Sequence, residues 1–249
     1  MKKKLMSLAL AVVMCLSLCV PAFAASSNNT RIIQDDNEIR IVQATLGNER
    51  YVATYNKILN TMTMERISAT TGQLEASATT DLNTNQVTAA TQNGISVCPE
   101  NCTIPILRVS TGSRTTTSKF SYNYRSANSC TLSRPQYVGE SNGVIYTFTT
   151  MERATNKDDL GNFKNTVENI YAKEQTIVDL VGVTSFVAGC ATGFLVGSGG
   201  TGVGIAIGAY LTALGFGVSA KIACNELGSL METAKTYFDS VRDDYIYYL

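Results

Sequence analysis

Residues 180–220 contain no charged side chain, and within them the stretch GFLVGSGGTGVGIAIGAYLTALGFG has nine glycines in 25 residues. Asp179 and Lys221 border the run. Each interior glycine costs a soluble helix about 1 kcal/mol relative to alanine. Glycines spaced four apart, by contrast, make a smooth groove along which helices approach closely in lipid. The segment is therefore either a tightly packed core or a membrane element. GSGGTG, residues 197–202, reads as the break between two apolar arms, 180–196 and 203–220, because consecutive glycines do not hold a helix. Each arm is about as long as the shortest helices that span a bilayer, so the pair is expected to form a hairpin. Gly189, Gly193 and Gly197 fall four apart on the first arm, and Gly204 and Gly208, then Ala209, Ala213 and Gly217, do so on the second. These positions are the candidate membrane-insertion and helix-packing residues. The competing reading is a helical domain whose flanking helices wrap the hairpin as a permanent core. Both readings hold if those helices shield the hairpin until it meets a target.

The flanks supply such helices. From Asn156, NKDDLGNFKNTVENIYAKEQTIVDLVG puts Leu160, Phe163, Val167, Ile170, Ile177 and Val181 on one apolar stripe. Asn156 is the expected N-cap, and Asp158 and Asp159 fall in the first turn, where the helix dipole favours negative charge. NELGSLMETAKTYFDSVRDDYIYYL repeats the stripe through Leu227, Leu230, Met231, Ala234, Phe238 and Val241. With the hairpin turn near Gly200, Cys224 would lie roughly 20 Å along the partner helix from the point facing Cys190. No bridge between them is expected.

Residues 25–155 have a different period. NEIRIVQATLGNERYVATYNKILNTMTMERI is a series of short β-prone runs separated by Leu46-Gly47-Asn48 and then Asn60, the pattern of a meander. SKFSYNYR places Phe120, Tyr122 and Tyr124 on one strand face, and GVIYTFTTM supplies another strand. The aromatic row reads as core rather than as a carbohydrate or peptide platform, since one sheet face must be buried. Residues 69–96, rich in Thr, Ala, Ser, Asn and Gln without a firm period, read as loop or weak strand. The expected class is α+β, an N-terminal antiparallel sheet or sandwich followed by a helical region, residues 156–249, that contains the glycine-rich apolar hairpin at 180–220.

Residues 1–24 read as a secretory signal peptide. Lys2, Lys3 and Lys4 precede an apolar run to Val20, and Ala22-Phe23-Ala24 fits cleavage before Ala25. Leu18 is too bulky for a lipoprotein signal at Cys19, so a released, secreted protein is expected. Residues 25–155 hold eleven Lys plus Arg against ten Asp plus Glu, and residues 156–249 six against ten. Neither half has the cationic face that nucleic acid requires, nor the charge of a peptide drawn to anionic lipid by electrostatics alone. Membrane affinity has to come from apolar burial.

The chain has no histidine, which removes Ser-His and Cys-His catalysis and the commonest zinc ligand. Among the carboxylates, nothing in the spacing of Glu140 or Glu152 singles out an acid-base pair, so no enzyme is expected. Past the signal, five cysteines remain: Cys98, Cys102, Cys130, Cys190 and Cys224. CPENC can close a local disulfide between Cys98 and Cys102, or either can bridge to Cys130. No second ligand pair completes a metal site, and no cofactor is implied.

Taken together, the signal peptide, YVATYNKILNTMTM, FSYNYR followed by LSRPQY, NKDDLGNFKNTVENI and the glycine-rich segment resemble the large unmodified geobacillin-type bacteriocins. These are secreted antimicrobial proteins of Gram-positive bacteria, distinct from the small lanthipeptide geobacillins. The resemblance spans nearly all of the mature chain, through loose motifs. It implies killing of related bacteria by action on the target-cell membrane, and it brings no catalytic residues. A receptor, an immunity protein and an oligomer in the membrane are the further partners open to such a chain. The alternative is a surface-retained binding or adhesion module anchored by the hairpin.

Overall fold

The computed structural model describes residues 30–96, 109–110, 112–126, 129–137 and 145–247. Among them the chain forms β1 (Arg31–Asp35), β2 (Ile39–Leu46), β3 (Glu49–Asn56), β4 (Thr61–Ser68), β5 (Leu74–Asp81), β6 (Gln86–Gln92), β7 (Ile95–Ser96), β8 (Val109–Ser110), β9 (Ser113–Thr115), β10 (Ser121–Ser126), β11 (Ser129–Pro135) and β12 (Ile145–Met151). Four helices follow among the described residues: α1 (Lys157–Val181), α2 (Val183–Val196), α3 (Gly199–Ala213) and α4 (Val218–Tyr247). The class is α+β. Strands β1 to β7 make one antiparallel sheet in sequence order, and β8 to β12 make a second.

Alternation sets the first sheet. In β4, Met62, Met64, Arg66 and Ser68 turn inward while Thr61, Thr63, Glu65 and Ile67 turn outward, the two-residue period of a half-buried strand. Gly47 and Asn60, marked as turn positions by the sequence, both have positive φ, the left-handed region that glycine and asparagine tolerate best. Residues 69–96, open from the sequence as loop or weak strand, hold β5, β6 and β7. The inward residues there are Ala76, Ala78 and Ala90, too small to give the hydrophobic contrast that a sequence pattern needs. The inward hydroxyl of Thr80 is matched by Thr192 of α2, with the oxygens 2.7 Å apart.

Helices lie against the inner faces of both sheets. The first sheet takes α2 and α3, through Thr80 with Thr192 and through Tyr51 with Ser198. The second takes α1 and α4. Tyr122 donates to Glu168, and the Phe148 and Phe238 rings meet edge to face with centroids 4.9 Å apart. Phe120 and Tyr122 are buried on this inner face, so the aromatic row is core. The six stripe residues of α1 named above are all buried. Asn156 occupies the N-cap of α1, but its side chain accepts from the Arg153 N–H at 2.8 Å and donates to the Met151 carbonyl at 3.1 Å. It therefore fastens the turn after β12 rather than the first turn of the helix.

The glycine-rich segment departs from the expected boundaries. Leu180 belongs to α1, the break is reduced to Gly197 and Ser198, and α3 already begins at Gly199. The two apolar helices have 14 and 15 residues, and no helix among the described residues is long and apolar enough to cross a membrane. Glycines enter the first turn of α3 because larger residues would collide there. A Cβ at Gly200 would stand 2.5 Å from the Glu232 backbone nitrogen.

Candidate functional site

The expected glycine rows serve two different contacts. On α2, Gly193 and Gly197 lie against Ile207 and Val203, and Gly189 against Tyr210, so α2 and α3 run antiparallel. On α3, Gly204 and Gly208 face away from α2 and lie against Cys224, Gly228 and Lys221 of α4. Gly189 and Gly193 on α2 thus receive side chains and Gly197, just past its end, the Val203 backbone, whereas on α3 Gly204 receives the backbone of α4 and Gly208 the Cys224 and Lys221 side chains. A Cβ at Gly204 would be 2.5 Å from the Cys224 carbonyl and 2.7 Å from the Gly228 Cα. Ala213 is buried at the end of α3, and Gly217 is exposed in the connection to α4 with open space where a Cβ would stand. Gly228 completes the close approach and was not singled out from the sequence. Its signal is a glycine interrupting the good helical stripe of NELGSL.

Cys190 and Cys224 are both free, buried thiols, and burial raises the Cys224 pKa to about 12. The expected absence of a bridge holds, but the chain path differs. The connection at residues 214–217 turns α4 back along α3, so Cys224 lies against Gly204 and Gly208 instead of continuing past the end of the hairpin. Cys130 is likewise a free thiol, buried on the inner face of β11 and raised to about 11 mainly by desolvation. Among the described residues it makes no disulfide. Cys98 and Cys102 lie outside the described residues, as do residues 1–24 and Glu140.

Polar groups converge where α3 begins. Glu49 accepts from the Tyr51 hydroxyl at 2.6 Å and from the Ser198 hydroxyl, and its other oxygen is 3.5 Å from Arg66. Arg66 also reaches Glu75 at 3.2 Å. Ser198 sits at the N-cap of α3, but its hydroxyl is directed to Glu49 rather than to its own helix. Glu232 of α4 substitutes, accepting from the Gly200 N–H at 2.9 Å, and a carboxylate there also suits the positive end of the helix dipole. Burial first, then the hydrogen bond to Glu49, raises the Tyr51 pKa. The carboxylate of Glu49 already serves three partners, so the cluster is a closed clip between the first sheet and α3, not a base poised for proton transfer. Its members are about 150 positions apart in the sequence, which carries no signal that they meet.

Compared with known proteins, the chain matches no family model, no curated protein and no solved structure. Function therefore has to be argued from the geometry.

A second clip holds the other sheet. Glu174 of α1 is buried and accepts from the N–H groups of Thr117 and Ser118 at 2.8 and 2.7 Å and from the Ser118 hydroxyl at 2.5 Å. Desolvation raises its pKa, and the three hydrogen bonds oppose that shift. Nearby, Arg114 reaches Glu168 at 2.7 Å and lies over the Tyr171 ring, 4.2 Å from its centroid. Among the described residues no group of three or more His, Cys, Asp or Glu is placed to hold a metal. The site is an uncharged helix pair, α3 buried and α2 half-buried, held to its surroundings by a few polar clips.

Proposed function

We propose that the protein is a secreted, non-enzymatic antimicrobial protein that perturbs target-cell membranes through α2 and α3 acting as a glycine-rich hairpin. The observation that carries this reading is the pair itself. Neither helix has a charged side chain, and at Gly200 and Gly204 α3 meets the backbone of α4 directly. Such a pair costs little to move into lipid, because it brings no charge and its backbone groups are satisfied within the helices. In the folded chain α3 is buried on nearly all sides, and both helices are shorter than the roughly 20 residues a span requires. Membrane action therefore calls for a second arrangement, in which α2 and α3 leave the first sheet, α3 leaves α4, and the uncharged run 180–220 extends the helices.

A crosslink tests this better than a deletion, since removing residues 180–220 would take out the layer on which both α4 and the first sheet rest. Thr80 and Thr192 bring their hydroxyl oxygens within 2.7 Å, close enough for the double variant Thr80→Cys, Thr192→Cys to form a disulfide. The oxidised variant is expected to lose dye release from liposomes and killing of Gram-positive indicator cells, and reductant is expected to restore both. Equal activity in the oxidised and reduced forms would show that the helices do not leave the sheet. Recovery of the protein with the producer's cell envelope instead of the medium would favour an anchored adhesion module.

A further inference from the structure

The antiparallel runs bring four helix ends to one end of the molecule. Gly193 with Ile207, Gly204 with Cys224, and Lys173 with Glu226 align α2 with α3, α3 with α4 and α1 with α4. The end of α1, the start of α2, the end of α3 and the start of α4 therefore lie together. The first sheet contributes to the same end. Arg40, at the start of β2, lies against Gly215 in the α3–α4 connection, and the register of Ile39 with Asn56 carries the β3–β4 turn there too.

At this end six large aliphatic side chains are between 46% and 69% exposed: Ile58, Leu59, Leu180, Val183, Val218 and Ile222. They make up half of the exposed large hydrophobic residues described anywhere in the chain. They do not form one continuous face. Ile58 and Leu59 occupy a β-turn, Leu180 and Val183 flank the Gly182 junction, and Val218 and Ile222 open α4.

We propose that this end is a membrane-docking surface whose partner is a lipid bilayer. Separate aliphatic tips on three turns suit a soft partner that each can enter independently, whereas a protein partner is normally gripped by aromatic and arginine anchors seated in pockets. None of the six is aromatic. The charges at this end are mixed, Asp35, Asp36, Glu38 and Asp179 against Arg40, Lys57 and Lys221, with Asp35 pairing with Arg40 at 2.9 Å and with Lys57 at 2.7 Å. With no cationic excess to draw anionic lipid, apolar burial carries the affinity. The proposal shares its partner with the function proposed above, but docking is a separate step that leaves α3 in place.

The test is co-sedimentation of the full secreted chain with vesicles of phosphatidylcholine alone and of phosphatidylcholine with phosphatidylglycerol. The double variants Ile58→Asp with Leu59→Asp, and Val183→Asp with Val218→Asp, are expected to lower partitioning at least tenfold on both vesicle types. The second pair places aspartate at the first residue of two helices, where it is compatible with folding. The control Leu74→Asp with Ile95→Asp, which alters exposed residues outside this end, is expected to bind as the unaltered chain does. Partitioning of the unaltered chain is expected to vary little between the vesicles or with salt. No binding by the unaltered chain, equal loss in the control, or retained binding in both tip variants would overturn the proposal. So would a solution dimer that the tip variants dissociate, which would assign this end to a second copy. Binding without dye release would sink the hairpin mechanism and leave docking standing. Dye release undiminished by the tip variants would do the reverse.

Discussion

The same substitution, glycine to alanine, should change stability in opposite directions at Gly204 and Gly161. In a helix interior, alanine is favoured over glycine by about 1 kcal/mol. At Gly161, in α1, an added Cβ meets nothing within 4 Å, so Gly161→Ala should keep that gain. At Gly204 the Cβ would lie 2.5 Å from the Cys224 carbonyl, 2.7 Å from the Gly228 Cα and 2.9 Å from the Gly228 nitrogen. All three are backbone atoms and cannot rotate away, which places the overpacking cost near the upper end of its usual range, about 3 kcal/mol. The net loss is about 2 kcal/mol. For a protein of this size that lowers Tm by about 4–8 °C, whereas Gly161→Ala should raise it by about 2–4 °C. Gly208→Ala is the internal control. Its nearest contacts, at 3.6 and 3.7 Å, are ordinary, so it should behave like Gly161→Ala although it lies one turn from Gly204. Thermal unfolding followed by circular dichroism measures all three. A Gly204→Ala variant as stable as the parent would refute the close approach of α3 and α4.

Tyr210 is fully buried and its hydroxyl has no hydrogen-bond partner among the described residues, so Tyr210→Phe should be at least as stable as the parent, by up to about 1 kcal/mol in urea unfolding; a loss above about 1 kcal/mol would mean the hydroxyl is satisfied. Glu174 has its pKa raised in the folded protein, so its contribution to stability is complete below the unfolded value and is lost as pH rises through the folded one. The parent should therefore lose stability relative to Glu174→Gln between acid and neutral pH, and a gain over that range in denaturant titrations would reverse the assignment. Asp36 is held down to about 2, first by the Gln34 side-chain amide and then by the N–H groups of Ile39 and Glu38. Its turn contribution is present above the ordinary carboxylate range and lost only as pH falls through about 2, and an NMR titration midpoint near 4 would contradict those contacts.

Legibility in the sequence followed side-chain contrast. The stripe of α1 and the alternation of β4 were readable because large apolar residues recur at the helical or strand period. β5 and β6 were not, because their inward positions are alanines and a threonine whose partner, Thr192, is 112 residues away. The glycine rows were readable as helix-packing surfaces, but not which helix each one meets. A four-residue spacing defines a face and says nothing of what lies opposite, and the sharp return of α4 depends on a connection whose two glycines, Gly215 and Gly217, read equally well as a continuing arm. The Glu49, Tyr51 and Ser198 clip left no trace either, since a polar residue at a strand start or a helix cap has a sufficient local explanation.

The two ends of α3 are built on different physics, and this bears on how a buried helix pair could come to act on a membrane. At its N-terminal end the helix is tied by charged acceptors, Glu49 through Ser198 and Glu232 through Gly200. At its C-terminal end the surrounding turns present aliphatic tips to solvent, and the last turn runs into Leu214 and Phe216, which are only partly buried. Between the ends, α3 and α4 approach backbone to backbone at Gly200, Gly204 and Gly228. Dispersion falls off steeply with separation, so such a contact is strong only while the two backbones stay in register. A bilayer that engages the tips pulls on the end opposite the Glu49 and Glu232 clips, and a small displacement there weakens the glycine contact along its length. The clips at the far end then set the threshold for release. Substituting Ser198 by alanine should therefore increase dye release at a given extent of vesicle binding, and an unchanged ratio of release to binding would separate the clip from the mechanism.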